Sequence, residues 1–264
     1  MNDSALLEVR DVVKSFGGLH AVDHVNFEVQ PGSVTALIGP NGAGKTTLFH
    51  IIAGFVRADG GSITFDGRAI LGKPAHAVAS LRIVRTFQHT RTLAAMSVLD
   101  NVMIAGRTQP GEGFAGVVLR PRASRRHERR LRERALEMLG RFDLQSKAHE
   151  YAGTLSGGQR KLLELARALM AEPRLVLLDE PMAGINPSLG LRLMAHIQQL
   201  RREHGMTFLF VEHDMDVVMN NADRVIVMSS GRVIAADAPH VVRDDPAVID
   251  AYLGARRTGI DVGG

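Results

Sequence analysis

Nine residues, "GPNGAGKTT" (39–47), constrain this chain more than any other stretch. They match G-x-x-x-x-G-K-[ST] through Gly39, Gly44, Lys45 and Thr46. The apolar run "VTALIGP" (34–40) precedes them and reads as a buried parallel strand. A helix is predicted from Lys45 to about Ala53. Strand, glycine-rich turn and helix are the context in which such a loop wraps a phosphate. Gly42 and Gly44 let the backbone N–H groups of the loop close around the anion. The loop residues Gly39, Pro40, Asn41, Gly42, Ala43, Gly44, Lys45, Thr46 and Thr47 are therefore candidate nucleotide-binding residues. Lys45 reaches for the β- and γ-phosphates of ATP, and the Thr46 hydroxyl is a candidate Mg²⁺ ligand.

A second stretch supplies what such a loop lacks. "LVLLDE" (175–180) runs four apolar residues into Asp179 and Glu180. This places Asp179 at the carboxyl end of a central strand, where ligands sit in open α/β sheets. Asp179 then holds Mg²⁺ directly or through water. Glu180 beside it orients or deprotonates a water.

The remainder reads as α/β with a helical insertion. Strands are predicted at 6–13, 22–29 and 61–70, the last closed by an Asp-Gly turn. Helices follow at 97–106 and 122–142, separated by a Gly-rich loop at 109–118. The strand at 174–180 restores the α/β pattern. It continues with a helix at 187–205, a strand at 207–213, a helix at 214–222, a hairpin at 224–237 turning at Ser230-Gly231, and a final helix at 245–254. The division is one nucleotide-binding domain over 1–254 and a tail at 255–264 with nothing to pack. Within it, core and β subdomain take about 1–95 and 172–254, and a helical subdomain takes about 96–171. There are no cysteines, which excludes a disulfide scaffold and thiolate metal sites. "MNDSALLEVR" has no apolar signal core, and no run approaches the ~18 apolar residues of a membrane span, so a cytosolic location is expected.

"LSGGQRKLLELARAL" (155–169) places Ser156, Gly157, Gly158 and Gln159 before a strongly amphipathic helix. Ser156 reads as its N-cap. A capped helix start with close-approach glycines suits an anion, yet the phosphate loop lies far upstream.

With these three stretches together, the chain resembles the ATP-binding subunit of ABC transporters over nearly its whole length, from Leu7 to Gly254. The fold implied is α/β: a P-loop NTPase core of the ABC ATPase type, an N-terminal antiparallel β subdomain and an inserted α-helical subdomain. In that family two cassettes pair head to tail, and each ATP lies between the phosphate loop of one and the LSGGQ of the other. Ser156, Gly157, Gly158 and Gln159 then serve the partner's nucleotide. The resemblance assigns further residues. Gln88, in "RTFQ", is similar to the Q-loop glutamine that senses Mg²⁺ and the attacking water; by residue type alone it is a polar strand end. His213, in "FVEHD", is similar to the switch histidine that contacts the γ-phosphate, although a lone strand-end histidine is usually structural. Phe16 is similar to the aromatic that stacks on adenine, although taken alone it reads as core. The candidate catalytic set is thus Glu180, His213 and Gln88, with Thr46, Gln88 and Asp179 at the metal. The segment "PMAGINP" (181–187) departs from the Ser-Ala-Leu-Asp of many relatives, and neutral Asn186 leaves only an amide for crosstalk between cassettes.

"FGGLHAVDHVNFEV", "RTFQHTR", "AGINP", "VEHDMDVVM" and "DPAVIDAYLG" look like the ATPases of branched-chain (hydrophobic) amino-acid importers. Urea and short-amide importer ATPases look similar, and a soluble ABC ATPase acting on nucleic acid or ribosomes is the other alternative. The partners implied are transmembrane permease subunits, a second ATP-binding subunit (a related chain or a second copy) and, indirectly, an extracytoplasmic solute-binding protein. The location implied is peripheral, on the cytoplasmic face of the cell membrane. Arg120, Arg122, Arg125, Arg126, Arg129, Arg130, Arg132 and Arg134 crowd one segment, offset in part by Glu128 and Glu133. A solvated face, anionic lipid or nucleic acid each accounts for them. No interleaved aromatics favour the last, and no nucleic-acid partner is expected.

Overall fold

A computed structural model describes residues 4–86, 92–106 and 121–258. Gln88, the Gly-rich stretch at 109–118, Arg120 and the tail from 259 lie outside the described residues. In chain order the elements are β1 (Leu7–Phe16), β2 (Leu19–Val29), β3 (Val34–Ile38), α1 (Lys45–Ile52), β4 (Gly60–Phe65), β5 (Arg68–Ala69), α2 (Ala75–Ser80), β6 (Ile83–Arg85), α3 (Val98–Met103), α4 (Pro121–Arg141), α5 (Gly157–Met170), β7 (Leu175–Asp179), α6 (Pro187–His204), β8 (Thr207–Val211), α7 (Met215–Asn221), β9 (Arg224–Ser229), β10 (Arg232–Asp237), α8 (Pro239–Arg243) and α9 (Pro246–Thr258).

Two compact units emerge. The first comprises residues 1–85, 174–182 and 194–264; the second comprises 86–173 and 183–193.

The first unit holds both sheets. An antiparallel sheet runs β2-β1-β4-β5, and a six-stranded sheet runs β10-β9-β3-β8-β7-β6. In the latter only the β9–β10 pair is antiparallel. β3, β7 and β8 are buried at every position, as continuous apolar strands covered on both faces must be. The antiparallel strands join through two-residue turns. Asp66 (φ 51°) and Gly67 (φ 70°) link Phe65 to its partner Arg68, and Ser230 (φ 48°) and Gly231 (φ 82°) link Ser229 to Arg232. Positive φ at both central positions matches the right-handed strand twist, so the Asp-Gly and Ser-Gly signals mark true hairpins. Leu7, Val9, Val25, Phe49, Ile52, Ile63, Leu177, Leu209 and Ile226 belong to one core cluster. Burial of each such side chain contributes about 1.5–3 kcal/mol.

The second unit is helical and packs around Leu99, Val102, Leu139, Leu163 and Ala166, all buried. Among its described residues, Asn101 is a fully buried polar side chain. The amide donates to the carbonyls of Leu93 and Ser97 at 3.0 and 2.9 Å, and its Oδ1 accepts from the Leu93 N–H at 2.9 Å. On α4, Arg125, Arg126, Arg129, Arg130 and Arg132 are exposed, Arg129 pairs with Glu133 at 3.0 Å, and Arg134 pairs with Glu172.

Three features depart from the sequence reading. The final helix passes Gly254 and runs to Thr258, so the first four residues of the expected tail are helical. α2 and β6 are six and three residues long, too short for a period to show. Phe16 is not core: it is 50% exposed, with the Lys14 ammonium 5.1 Å from its ring centroid.

Candidate active site

The loop 39–44 lies between β3 and α1, and its shape is dictated by its neighbours. Gly39 (φ 147°) and Gly44 (φ 95°) adopt conformations that favour glycine. A Cβ on Gly39 would stand 2.0 Å from the Met228 carbonyl oxygen, and one on Gly44 would stand 2.0 Å from that of Ala21. The loop is thus pressed between β9 and β2. Ala43 N–H donates to the Pro40 carbonyl at 3.2 Å, and Gly231 N–H donates to the Ala43 carbonyl at 3.2 Å. Lys45 folds over the loop and donates to the carbonyls of Gly39 (2.7 Å) and Pro40 (2.9 Å). Burial lowers the Lys45 pKa, opposed by attraction to Glu180. Lysine, loop and Glu180 therefore share one electrostatic site. Asn41, Gly42 and Thr46 are exposed, Pro40 and Thr47 half-buried.

Asp179 ends β7 and is buried. Its Oδ2 accepts from Arg85 at 2.6 Å. Glu180 follows with φ 48°, a left-handed conformation uncommon for a residue with a Cβ, and its N–H donates to the Val211 carbonyl at 3.1 Å. Strain at this position is characteristic of functional sites. His213 follows β8 and its side chain is 68% exposed.

Sequence reasoning missed Glu212, the buried carboxylate before His213. Its Oε1 accepts from the Met182 N–H at 2.8 Å and its Oε2 from the His213 N–H at 3.3 Å. Burial raises its pKa, and those two amides pull it back down. Glu212 thus fastens the segment after Glu180 to the strand end that carries His213. An acidic residue closing the apolar run "TFLFV" was the available signal. Also missed was Tyr252 on α9. Its hydroxyl is buried without a well-formed hydrogen bond among the described residues. Burial pushes its pKa up to about 12, with the Gly39 backbone pulling weakly the other way. The closing helix therefore reaches the phosphate loop.

In the second unit, Ser156 caps α5 through a reciprocal box. Its Oγ accepts from the Gln159 N–H at 3.3 Å, and the Gln159 Oε1 accepts from the Ser156 N–H at 3.0 Å. Gln159 is committed to that box. Ser156 and Gly157 are exposed, whereas Gly158 is buried with a hypothetical Cβ only 1.8 Å from Leu189 Cδ2. Lys161 donates to the Ala183 carbonyl, which ties α5 to the segment before α6. Asn186 caps α6, its Oδ1 accepting from the Leu189 N–H at 2.9 Å. That oxygen is thus engaged within its own chain.

The donor chemistry suits magnesium bound with a nucleotide. Thr46 Oγ and the Asp179 carboxylate are hard oxygen donors of the kind magnesium takes, and Asp179 Oδ1 takes no hydrogen bond among the described residues. Those residues include no cluster of three or more His, Asp or Glu that could hold a metal by itself. Magnesium is commonly held by one or two protein oxygens plus substrate phosphates.

Phosphate loop, acidic strand end and capped glycine-rich helix define a P-loop nucleotide-binding domain of the ATP-binding-cassette class. The model of the ABC transporter family matches residues 22–183, and that of the branched-chain amino acid ATP-binding cassette transporter matches residues 232–258. The chain belongs to the ABC transporter family, and its activity is ATP hydrolysis as a transporter ATPase. It is 43% identical over 249 residues to the high-affinity branched-chain amino acid transport ATP-binding protein BraF of Pseudomonas aeruginosa, covering 94% of this chain and 98% of that one. It is 39% identical over 260 residues to the probable branched-chain amino acid transport ATP-binding protein LivG of Archaeoglobus fulgidus, covering 98% and 99%. Among solved structures it is similar to a nucleotide-free ATP-binding cassette from an ABC transporter, with TM-score 0.81, 36% identity and coverage of 94% and 99%.

Proposed function

We propose that this chain is the ATP-hydrolysing subunit of an importer for branched-chain or related hydrophobic amino acids, bound peripherally to the cytoplasmic face of the membrane through permease subunits. The observation that carries this reading is the 43% identity, across nearly the full length of both chains, to a branched-chain amino acid transport ATP-binding protein. Among the described residues no helix is long and apolar enough to cross a membrane; in this reading separate permease subunits form the path.

Each ATP is clamped between the phosphate loop of one cassette and Ser156, Gly157 and Gly158 of another. The backbone amides of the loop and Lys45 hold the β- and γ-phosphates, and Phe16 stacks its exposed face on the adenine. Thr46, Asp179 and Gln88 would hold magnesium, and the ion would neutralise phosphate charge. Glu180 aligns the attacking water and receives its proton. Lys45, His213 and the opposing Ser156 stabilise the charge that develops on the phosphoryl oxygens. Little covalent chemistry falls to the protein, so the strained, tied loops around Glu180 and His213 act by positioning. Cleavage removes the γ-phosphate that bridged the two cassettes, and they separate.

The test is co-purification from membranes followed by uptake in vesicles. Recovery with a hydrophobic permease and ATP-dependent uptake of labelled leucine supports the reading. Uptake of urea instead moves the chain to the short-amide importers, and recovery with ribosomes or DNA overturns transport altogether.

A further inference from the structure

Asp179 is held by Arg85, the arginine that opens "RTFQ" and to which the sequence reading gave no role. Arg85 ends β6, the edge strand beside β7, and pairs in register with Leu177. Asp179 lies two residues beyond Leu177 and so shares its face of the sheet. The guanidinium donates to Oδ2 at 2.6 Å, with side chains only 10% and 3% exposed. Its Nε is buried with no partner among the described residues. Its flat face lies 5.7 Å from the ring centroid of Phe55, itself 55% exposed. His50, in the last turn of α1, packs edge-on against Phe55 with centroids 6.4 Å apart. Burial, then Arg85, holds the His50 pKa below its ordinary value, opposed by Asp179.

Stability does not account for this pair. Buried ion pairs are often replaceable by apolar residues at no loss, because desolvation offsets their attraction. Here the cation also leaves one N–H unsatisfied, a further cost. Its clear product is geometric: one carboxylate oxygen is pinned while the other is left without a donor. Partners that orient a ligating carboxylate commonly change metal affinity about 10–100-fold when removed.

We propose that Arg85 is a positioning residue for the metal-binding carboxylate, fixing Oδ2 of Asp179 so that Oδ1 serves the magnesium that accompanies the nucleotide. This rests on the reading of Asp179 as a metal ligand, and the experiment separates the two. The readout is the affinity of a fluorescent ATP analogue for the full chain, in excess Mg²⁺ and in EDTA. Arg85→Met is expected to weaken Mg²⁺-dependent binding about tenfold while leaving binding in EDTA within about twofold. Arg85→Lys keeps the charge but not the planar fork, and is expected to lose several-fold. Asp179→Asn is the control. If it shifts the ratio and Arg85→Met does not, the role of Arg85 is overturned and the metal site stands. If Asp179→Asn itself leaves the ratio at the wild-type value, the metal reading falls and takes the proposal with it. Equal loss with and without Mg²⁺ in Arg85→Met marks a merely structural pair and also overturns it. Should Arg85→Met fail to fold, Arg85→Lys decides: an unchanged ratio overturns the proposal.

Discussion

The two glycine-rich motifs look alike in sequence but relate differently to their own chain. In the phosphate loop, Gly39 and Gly44 are required by the fold itself, since a Cβ on either would stand 2.0 Å from a backbone carbonyl oxygen. Lys45 is likewise satisfied by its own loop. In the LSGGQ segment, Gly158 is crowded by Leu189, but Gly157 is exposed and a Cβ there would meet nothing within 4 Å beyond its chain neighbours and its own helix backbone among the described residues. A helical glycine costs up to about 1 kcal/mol relative to alanine. Nothing among the described residues uses that sacrifice. A motif whose glycine its own chain does not need is one shaped for something brought from outside.

The sharpest way to break this contrast is at Glu180. Glu180→Gln is expected to cut steady-state phosphate release about 10²–10⁴-fold while ATP binding persists, as loss of a general base does. Next comes Ser156→Arg. Turnover is expected to fall at least about 10²-fold, the scale of a lost charge-stabilising donor, with nucleotide affinity of the isolated chain unchanged. Loss of that affinity, measured by equilibrium titration, would place Ser156 on its own nucleotide. The third contrast is between glycines. Gly44→Ala is expected to lower stability by at least about 2 kcal/mol, from left-handed strain plus the clash with Ala21. Gly157→Ala should leave stability unchanged or raise it by up to about 1 kcal/mol, yet lower turnover. Denaturant melts beside ATPase assays check both. The smallest effect is at Tyr252. Its folded pKa of about 12 exceeds the unfolded value of 10.0, so its contribution is complete below pH 10 and is lost as pH rises through about 12. Wild-type protein should therefore lose stability more steeply than Tyr252→Phe across that interval.

How much of this was legible in the sequence follows from the length of each signal. Long apolar runs and periodic helices gave β3, β7, β8 and α6 nearly to the residue, and turn chemistry located two hairpins. Arg85 and Glu212 received no role in the sequence reading because their meaning lies in partners distant along the chain, Asp179 and Met182, although an acidic residue closing "TFLFV" was there to be noticed. Tyr252 sat in a helix recognised from its Pro246 start, but its approach to Gly39 is tertiary. Phe16 reads as core when taken alone, yet it ends β1 at the turn into β2 and is exposed; only the resemblance set it apart, as an adenine-stacking aromatic. Motif spacing, by contrast, singled out Lys45, Asp179, Glu180 and Ser156 as candidates directly, since each is defined by residues adjacent in sequence.

One measurement bears on the clamp most directly: the ATPase rate per chain during serial dilution, with the mass of the species followed in the same samples. The expected result is a rate that collapses as associated forms give way to single chains, and that returns on adding back the second ATP-binding subunit or concentrated protein. An undiminished rate from single chains would contradict it.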